Sequence, residues 1–564
     1  MKTISLIVSL LIVSCFSLKA EETIRERVYI HTDKDCYISG EVIRLKFYVI
    51  FSNFQPSTLS KVGYIEICDT EKPHIQMKVA LESGSGAGHI KIPAALPSGI
   101  YELSGYTRYM RNEGDDAFFK KQIAIINVQQ QSPDPDRFEV IEKFEDILPV
   151  EEQPNENEPS NLLVYTDQNE YGNRKKVVIT VNNIPANAAD LVISVSRNDS
   201  ITFSPRVDKL KWLNQVKNNF LFSQQWLPEY EGHIISGSIV PKPQEQQLLS
   251  SIAFSGKDIR YFNGKINTQN GIVDFFTAGI FDRQQIVTSV ISPTYNKVPH
   301  RLDLISPFCE SLPGNLPALQ IYSNEKQLID RYIGIQIDDK AENDSFDYPI
   351  KSSDYTAFQP LFSYDLDEYT RFNSIRETIL EFINWVRVFK IENTSKIKVY
   401  LNESQRFSLG NTLVLLDGIP IYDHDEILKY NPMHIKKINV YDGRYLFGGN
   451  DLECIVSFIT YEGDLPFFQL SEGSQLLQYD CPQLPVSFEI PDYSIDKILH
   501  SRKPDFRHTL YWNPFVKFTK DQPVNLSFYT SDLCGEFKVT VEGITSDGKI
   551  INGTSFFHVT DFNE

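Results

Sequence analysis

Cysteine is scarce in this chain, with seven in 564 residues. Cys36, Cys68, Cys309, Cys454, Cys481 and Cys534 form no C-x-x-C pair and no tight cluster, which weighs against thiolate ligation of a metal. Positive charge is short too: 55 Lys and Arg face 74 Asp and Glu, a net charge of −19. Such a balance lacks the basic footprint that nucleic acid or an anionic membrane requires. The ten histidines are scattered without ligand spacing. H-E-x-x-H, a Walker loop and G-x-S-x-G are all missing. Past the N-terminus, no run approaches the roughly 18 apolar residues of a membrane-spanning helix. These absences lead to a non-enzymatic reading, with no catalytic residue, no cofactor and no metal site expected.

What the chain does have is β-strand grammar and length. At 564 residues it has room for three to five domains of about 100–200 residues each. Its 41% hydrophobic and 12% aromatic content supports packed cores rather than global disorder.

The first twenty residues read as a signal peptide. Lys2 supplies the positive end, Ile4 to Val13 the apolar run, and Leu18-Lys19-Ala20 a cleavage site before Glu21. Ile12-Val13-Ser14-Cys15 also fits a loose lipobox, with Cys15 as the lipidated residue. Two locations stay open: an exported soluble protein of the periplasm, or an outer-membrane-associated lipoprotein that meets the membrane only through its anchor. Export brings an oxidising compartment, so Cys36 and Cys68 either pair or stay as buried thiols.

From Arg25 onward, Val28 to Asp33, Tyr37, Ser39-Gly40-Glu41 and the alternating run Val42 to Val49 give strand, turn and strand. Leu96-Pro97-Ser98-Gly99-Ile100-Tyr101 supplies a later turn and strand. Residues 21–128 resemble the macroglobulin-type β-sandwich in these motifs, over about a hundred positions. The resemblance implies that His31 and Asp33 are turn and edge residues of a fold. Residues 129–160 read as an acidic, Pro-bearing linker. Thr166-Asp167 then precedes Tyr171 with the spacing that separates Thr32-Asp33 from Tyr37, and a strand follows in both places. We therefore expect a second sandwich at 161–228, a third at 229–345, and a C-terminal one at 466–564. The last contains a hairpin around Asp547-Gly548.

Between them, 346–465 reads as a helix followed by a small α/β unit. Ser374-Ile375-Arg376-Glu377 is a capping box, and Ile375, Ile379, Phe382 and Val386 form an apolar stripe behind it. Strand 413–416 ends at Asp417-Gly418, a tight-turn dipeptide. A polar helical turn, Asn431-Pro432, strand 435–441, Phe447-Gly448-Gly449 and the β-branched run Cys454 to Thr460 complete it. The order and spacing resemble the plug domain of TonB-dependent outer-membrane receptors, although Cys454 stands where glycine or asparagine is usual. A receptor barrel of about 22 strands needs well over 200 residues. Only 564 − 461 = 103 residues follow Tyr461. We therefore expect no pore formed by these residues.

Thioester-bearing macroglobulins carry Cys-Gly-Glu-Gln, and Cys534-Gly535-Glu536-Phe537 matches its first three residues. Phe537 offers no side-chain carbonyl, so no thioester can form. The fold class expected is mainly β and multi-domain: several immunoglobulin- or macroglobulin-like sandwiches plus one plug-like α/β domain. The function implied is an interaction scaffold of a Gram-negative envelope with protein partners, including a TonB-dependent receptor as its accessory. The alternative is a macroglobulin-like protease inhibitor without a thioester, with 129–160 as its bait. The candidate interaction loops are Tyr422, Asp423, His424, Asp425 and Glu426, and Tyr445, Phe447, Gly448 and Gly449.

Overall fold

The computed structural model describes residues 24–130, 137–141, 162–198, 212, 216, 218, 220–243, 248–292, 298–322, 325–341, 346–347, 359–391, 394–447, 450–470, 473–488, 490–519, 522–547 and 550–561. The signal segment with Cys15, and Gly448 and Gly449, lie outside these residues, as does most of 129–160.

The first sandwich has eight strands: β1 (Glu26–Thr32), β2 (Cys36–Ile38), β3 (Val42–Phe51), β4 (Val62–Cys68), β5 (Pro73–Ala80), β6 (Ser85–Lys91), β7 (Gly99–Thr107) and β8 (Phe119–Ile126). One sheet has the order β1-β3-β6 and the other β2-β8-β7-β4-β5. Tyr37, Phe47, Tyr64, Tyr101 and Tyr106 fill the space between them. Cys36 on β2 and Cys68 on β4 are two intervening strands apart, and both are free thiols. At about 4.8 Å per strand step that separation exceeds the reach of a disulfide.

The second sandwich repeats this topology, but not where a contiguous domain would put it. Strands Leu163–Thr166, Lys176–Asn182 and Val524–Tyr529 form its three-stranded sheet. Glu170–Tyr171, Ile550–Val559, Gly535–Thr545, Ala188–Arg197 and Thr509–Asn513 form its five-stranded sheet in that order. Strand for strand, these are the positions of β1 to β8. The expected sandwiches at 161–228 and 466–564 are therefore corrected to one sandwich built from 162–197 and 509–559. In the first sandwich β4 and β5 are joined by the turn Asp69–Lys72; in the second the same turn is replaced by residues 198–508. The ends of this insertion meet, since Arg197 N donates to His508 O at 2.8 Å.

The repeated Thr-Asp-x-x-x-Tyr pattern has one hydrogen-bond set in both copies. Tyr37 Oη donates to Asp33 Oδ1 (2.8 Å), which also accepts from Arg44 N (3.0 Å), while Thr32 Oγ1 donates to Lys34 O (2.7 Å). Tyr171 Oη donates to Asp167 Oδ1 (2.7 Å), which accepts from Val178 N (2.7 Å), while Thr166 Oγ1 donates to Gln168 O (2.7 Å). Each corner ties its first strand to its third. Removing either phenol leaves a carboxylate short of a donor, so Tyr37→Phe and Tyr171→Phe are each expected to cost about 1–2 kcal/mol. The measurement is the shift in urea midpoint, and unchanged midpoints would remove the corner from the fold's supports.

A seven-stranded antiparallel sheet lies inside the insertion, in the order Arg301–Leu304, Ile234–Val240, Ile272–Phe276, Tyr261–Ile266, Leu249–Phe254, Arg283–Ile291, Ser474–Asp480. It encloses Ile235, Ile252, Phe254, Phe275 and Leu302. Its last strand comes from beyond 465, so the expected unit 229–345 is incomplete without it. The α/β unit is in turn inserted into this sheet. Units are thus nested, one inside the next.

The helix Glu325–Ala341, unseen in the sequence reading, packs through Leu328 and Ile335 on Ile38, Ile100 and Ile126 of the first sandwich. Arg331 seals that contact with a bidentate bond to Glu41, at 2.8 Å for both oxygens. In the stretch read as linker, Phe138–Ile141 pairs in parallel with Leu319–Tyr322.

Candidate functional site

The α/β unit has a mixed sheet in the order Phe362–Asp365, Ile435–Phe447, Asn450–Thr460, Thr412–Leu416, Ile419–Pro420. A second sheet joins Val386–Ile391, Thr394–Leu401 and Arg406–Phe407. Two short helices, Ile375–Phe382 and His424–Lys429, pack between them. Ser374 caps the first helix as expected, accepting from Glu377 N at 3.2 Å. Glu377 reaches back to Asn373 N (3.1 Å), one residue earlier than a capping box would have it. Ile375 and Ile379 are buried, whereas Val386 belongs to the following strand and not to the helical stripe.

Asp417-Gly418 forms the expected turn, with both residues in the left-handed region (φ 46° and 76°). It also joins two units. Gly256 N donates to Asp417 O (3.0 Å), and a Cβ on Gly418 would stand 2.9 Å from the carbonyls of Asp258 and Phe254. The Asp417 carboxylate is fully buried and accepts from Thr460 N (2.7 Å), Thr460 Oγ1 (2.7 Å) and Leu465 N (2.9 Å).

The loop Tyr422–Glu426, expected on the surface, is largely inside. Tyr422 is buried, with its hydroxyl 2.8 Å from Ser251 Oγ of the seven-stranded sheet. Asp423 caps the helix, accepting from Asp425 N at 3.1 Å. His424 is buried and Asp425 and Glu426 half-buried. The cause is strand Thr394–Leu401, whose inner edge has no ladder partner over 395–399 among the described residues. Ser395 N donates to Asp425 Oδ2 (3.1 Å), Ile397 N to His424 Nδ1 (2.8 Å) and Val399 N to Ser408 Oγ (3.2 Å). Three side chains take the place of a neighbouring strand. Burial, with Lys396 and Lys398 nearby, pushes His424 down to about 3, which keeps its imidazole neutral and able to accept. Tyr422 and His424 are therefore framework and not docking groups. Tyr445 is half-buried and donates to Asp442 O at 2.9 Å, and Phe447 ends its strand.

Other buried polar groups join the units. Tyr64 donates to Glu229 Oε1 (2.9 Å), which lies 2.8 Å from His233 Nδ1; His233 Nε2 lies 2.7 Å from Tyr479 Oη, and Lys78 donates to that hydroxyl (3.2 Å). This chain ties the first sandwich to strand Ser474–Asp480 and to the segment that leads into strand Ile234–Val240. Between the sandwiches, His31 Nδ1 meets Glu542 Oε2 (2.7 Å), Thr509 Oγ1 donates to Asp33 Oδ2 (2.9 Å), and Lys46 pairs with Asp190 (2.8 Å). His31, on the edge strand β1, and Asp33, in the corner turn after it, serve the fold as expected, and they also join the two sandwiches. Phe537 sits in the second core, stacked on Phe557 at 5.5 Å. Among the described residues, no three His, Cys, Asp or Glu are grouped to hold a metal, and no helix is long and apolar enough to cross a membrane.

The sequence reading missed the outer face of the sheet 386–407. Its signal was present as alternation in Trp385-Val386-Arg387-Val388-Phe389, which places aromatic and basic residues together on one side of a strand.

No protein-family model and no curated protein matches the chain. Solved structures similar to it include a Salmonella alpha-2-macroglobulin reacted with methylamine, at 8% identity over 96% of this chain and 40% of that one, with a TM-score of 0.24. An Escherichia coli alpha-2-macroglobulin activated by porcine elastase aligns at 8% identity over 95% and 44%, with a TM-score of 0.24. A trypsin-activated form from Escherichia coli aligns at 10% identity over 95% and 41%, with a TM-score of 0.23. The chain spans less than half the length of those proteins. Superpositions at these scores do not define a common global fold, and the architecture of this chain rests on its own sheets.

Proposed function

We propose that the chain is a non-catalytic interaction scaffold of the bacterial envelope. The observation that carries this reading is where its buried polar groups are used. Glu41, Lys46, Glu229, His233, Arg331 and Glu542 all bridge separate units, and the chain passes out of and back into two of them. Polypeptide crossing the two nested junctions twice, with ion pairs in the joints between units, opposes relative motion of domains. Such a frame holds surfaces at fixed spacing, which is what a scaffold must do.

The test is affinity isolation of the tagged full chain from detergent-solubilised envelopes. A stoichiometric envelope partner is the expected result, and a chain that always emerges alone would overturn the scaffold. The transport-accessory version rests on the sequence resemblance of 411–461 to receptor plugs. It stands if that partner is an outer-membrane TonB-dependent receptor and falls if no such transporter is recovered. The inhibitor alternative requires a cleavable bait in 129–160. Pairing of Phe138–Ile141 with Leu319–Tyr322 holds part of that segment in a strand, which disfavours it as a protease substrate.

A further inference from the structure

The sheet 386–407 has an edge and a face that the frame does not use. Val386–Ile391 is its outermost strand, paired only with Thr394–Leu401. Tyr400 N donates to Trp385 O (2.8 Å), so odd-numbered residues turn their backbone groups inward to that partner. The N–H and C=O of Val388 and Lys390 therefore point away from the sheet. Among the described residues, no strand covers them.

The outward face gathers positive charge: Arg387 donates to the Ile383 and Val386 carbonyls (3.3 and 3.0 Å) and Lys398 to those of Leu409 and Gly410 (3.2 and 2.6 Å), with no carboxylate neutralising either in these bonds. Register places Arg387 directly opposite Lys398, and Phe389 opposite Lys396. Like charges facing across a pair of strands destabilise it. Nearby carboxylates are engaged elsewhere, Glu453 with Arg406 (2.9 Å) and Asp425 with Arg376 (3.6 Å). Phe389 and Ile391 are 40% and 45% exposed on the same face. Phe389 continues an aromatic row through Phe407 (5.3 Å), Tyr400 (5.4 Å) and Trp385 (5.8 Å). One lysine on an edge is a common guard against aggregation. A cross-strand Arg–Lys pair beside exposed Phe and Ile is more than that guard needs, and the chain around it is strongly acidic.

We propose that this edge receives an acidic, extended peptide segment of a partner protein, added as a strand beside Val386–Ile391. Backbone groups of Val388 and Lys390 would bond the incoming chain. Its carboxylates, at alternate positions, would neutralise Arg387, Lys396 and Lys398, and its apolar residues would cover Phe389 and Ile391. The proposal deepens the scaffold reading by giving the partner's chemistry.

The probe is a fluorescein-labelled peptide of eight residues alternating glutamate with valine or threonine, titrated into the full chain and followed by polarisation. Saturable binding that weakens with salt is expected. Lys396→Glu with Lys398→Glu is expected to weaken it tenfold or more by charge. Lys390→Pro removes an outward N–H and no ladder bond, and is expected to weaken it by a similar factor. Circular dichroism and melting temperature confirm that both variants stay folded. An analogue of the peptide with prolines at alternate positions is expected not to bind. No binding by the wild type overturns the edge. Equal binding of the proline-bearing peptide, or of Lys390→Pro, reduces the face to a polyanion surface and also overturns strand addition. Either failure leaves the scaffold reading to be judged by partner isolation.

Discussion

Lowering the pH from 7 to about 4.5 is expected to strip several kcal/mol of stability from the protein. Among the described residues four histidines are held neutral inside it, one of them His508, which burial with Arg331 alongside pushes well below its ordinary value. Burial, with Arg44 alongside, brings His89 down to about 4; burial, with Lys78 alongside, does the same to His233. His424 falls to about 3 for the reasons given above. In the unfolded chain each titrates near 6.5. Between about 6.5 and 4 the unfolded state binds protons that the folded state refuses, so stability falls as the pH drops through that window. Each histidine contributes on the order of 2–3 kcal/mol at pH 4.5 by this linkage. Urea titrations at pH 7, 6, 5 and 4.5 measure the slope. A double variant, His89→Gln with His424→Asn, is expected to be flatter, and a slope equal to that of the wild type would end the assignment. Alkali does not mirror acid. Burial lowers Lys46 and Lys78 to about 8. Their neutral forms are favoured in the fold, so their contribution to stability grows between about pH 8 and 10.

Asp417→Ala is expected to cost about 3–5 kcal/mol, because three buried donors lose their acceptor at about 1–3 kcal/mol each. It strands the amides of Thr460 and Leu465 and the Thr460 hydroxyl, all inside the α/β unit. It also places alanine at a φ of 46°, where asparagine and aspartate are better tolerated. Asp417→Asn keeps that tolerance and one acceptor, and is expected to lose about half as much. The difference between the two variants in urea midpoint separates the carboxylate from the backbone. Two equal losses would assign the effect to the carboxylate alone, because asparagine keeps the turn and alanine does not.

How much of this was legible from residues depends on the range over which each signal acts. The Asp417-Gly418 turn, the Ser374 cap, the Thr-Asp-x-x-x-Tyr corner and the hairpin 535–559 are local, and each is where the sequence put it. Partner choice over distance is another matter. Alternation along 188–197 says that a strand has an inner face, but nothing in it says that its neighbour is 509–513 and not the next strand in the chain. The same holds for 474–480, which completes a sheet begun at 234. Tyr422–Glu426 misled for a related reason. Five polar and aromatic residues in a row read as a solvated loop, yet here they serve as a substitute strand edge. Strand β1 shows the limit again, because a domain packs on its outer face and all seven of its residues are buried.

The bond between Arg197 and His508 shows that the ends of the insertion lie side by side, which bears on the order of folding. A loop of 311 residues, 198–508, stands where the first sandwich uses the four residues 69–72. For a flexible chain, closing the longer loop would cost roughly 4 kcal/mol more. A folded insertion whose ends already lie side by side removes most of that cost. Maturation is therefore expected to run from the inside outward: the α/β unit closes, then the sheet completed by 474–480, and last the sandwich begun at 162. Until the final sixty residues arrive, strands 163–197 wait with open edges, and whatever shields a nascent chain must cover them longest.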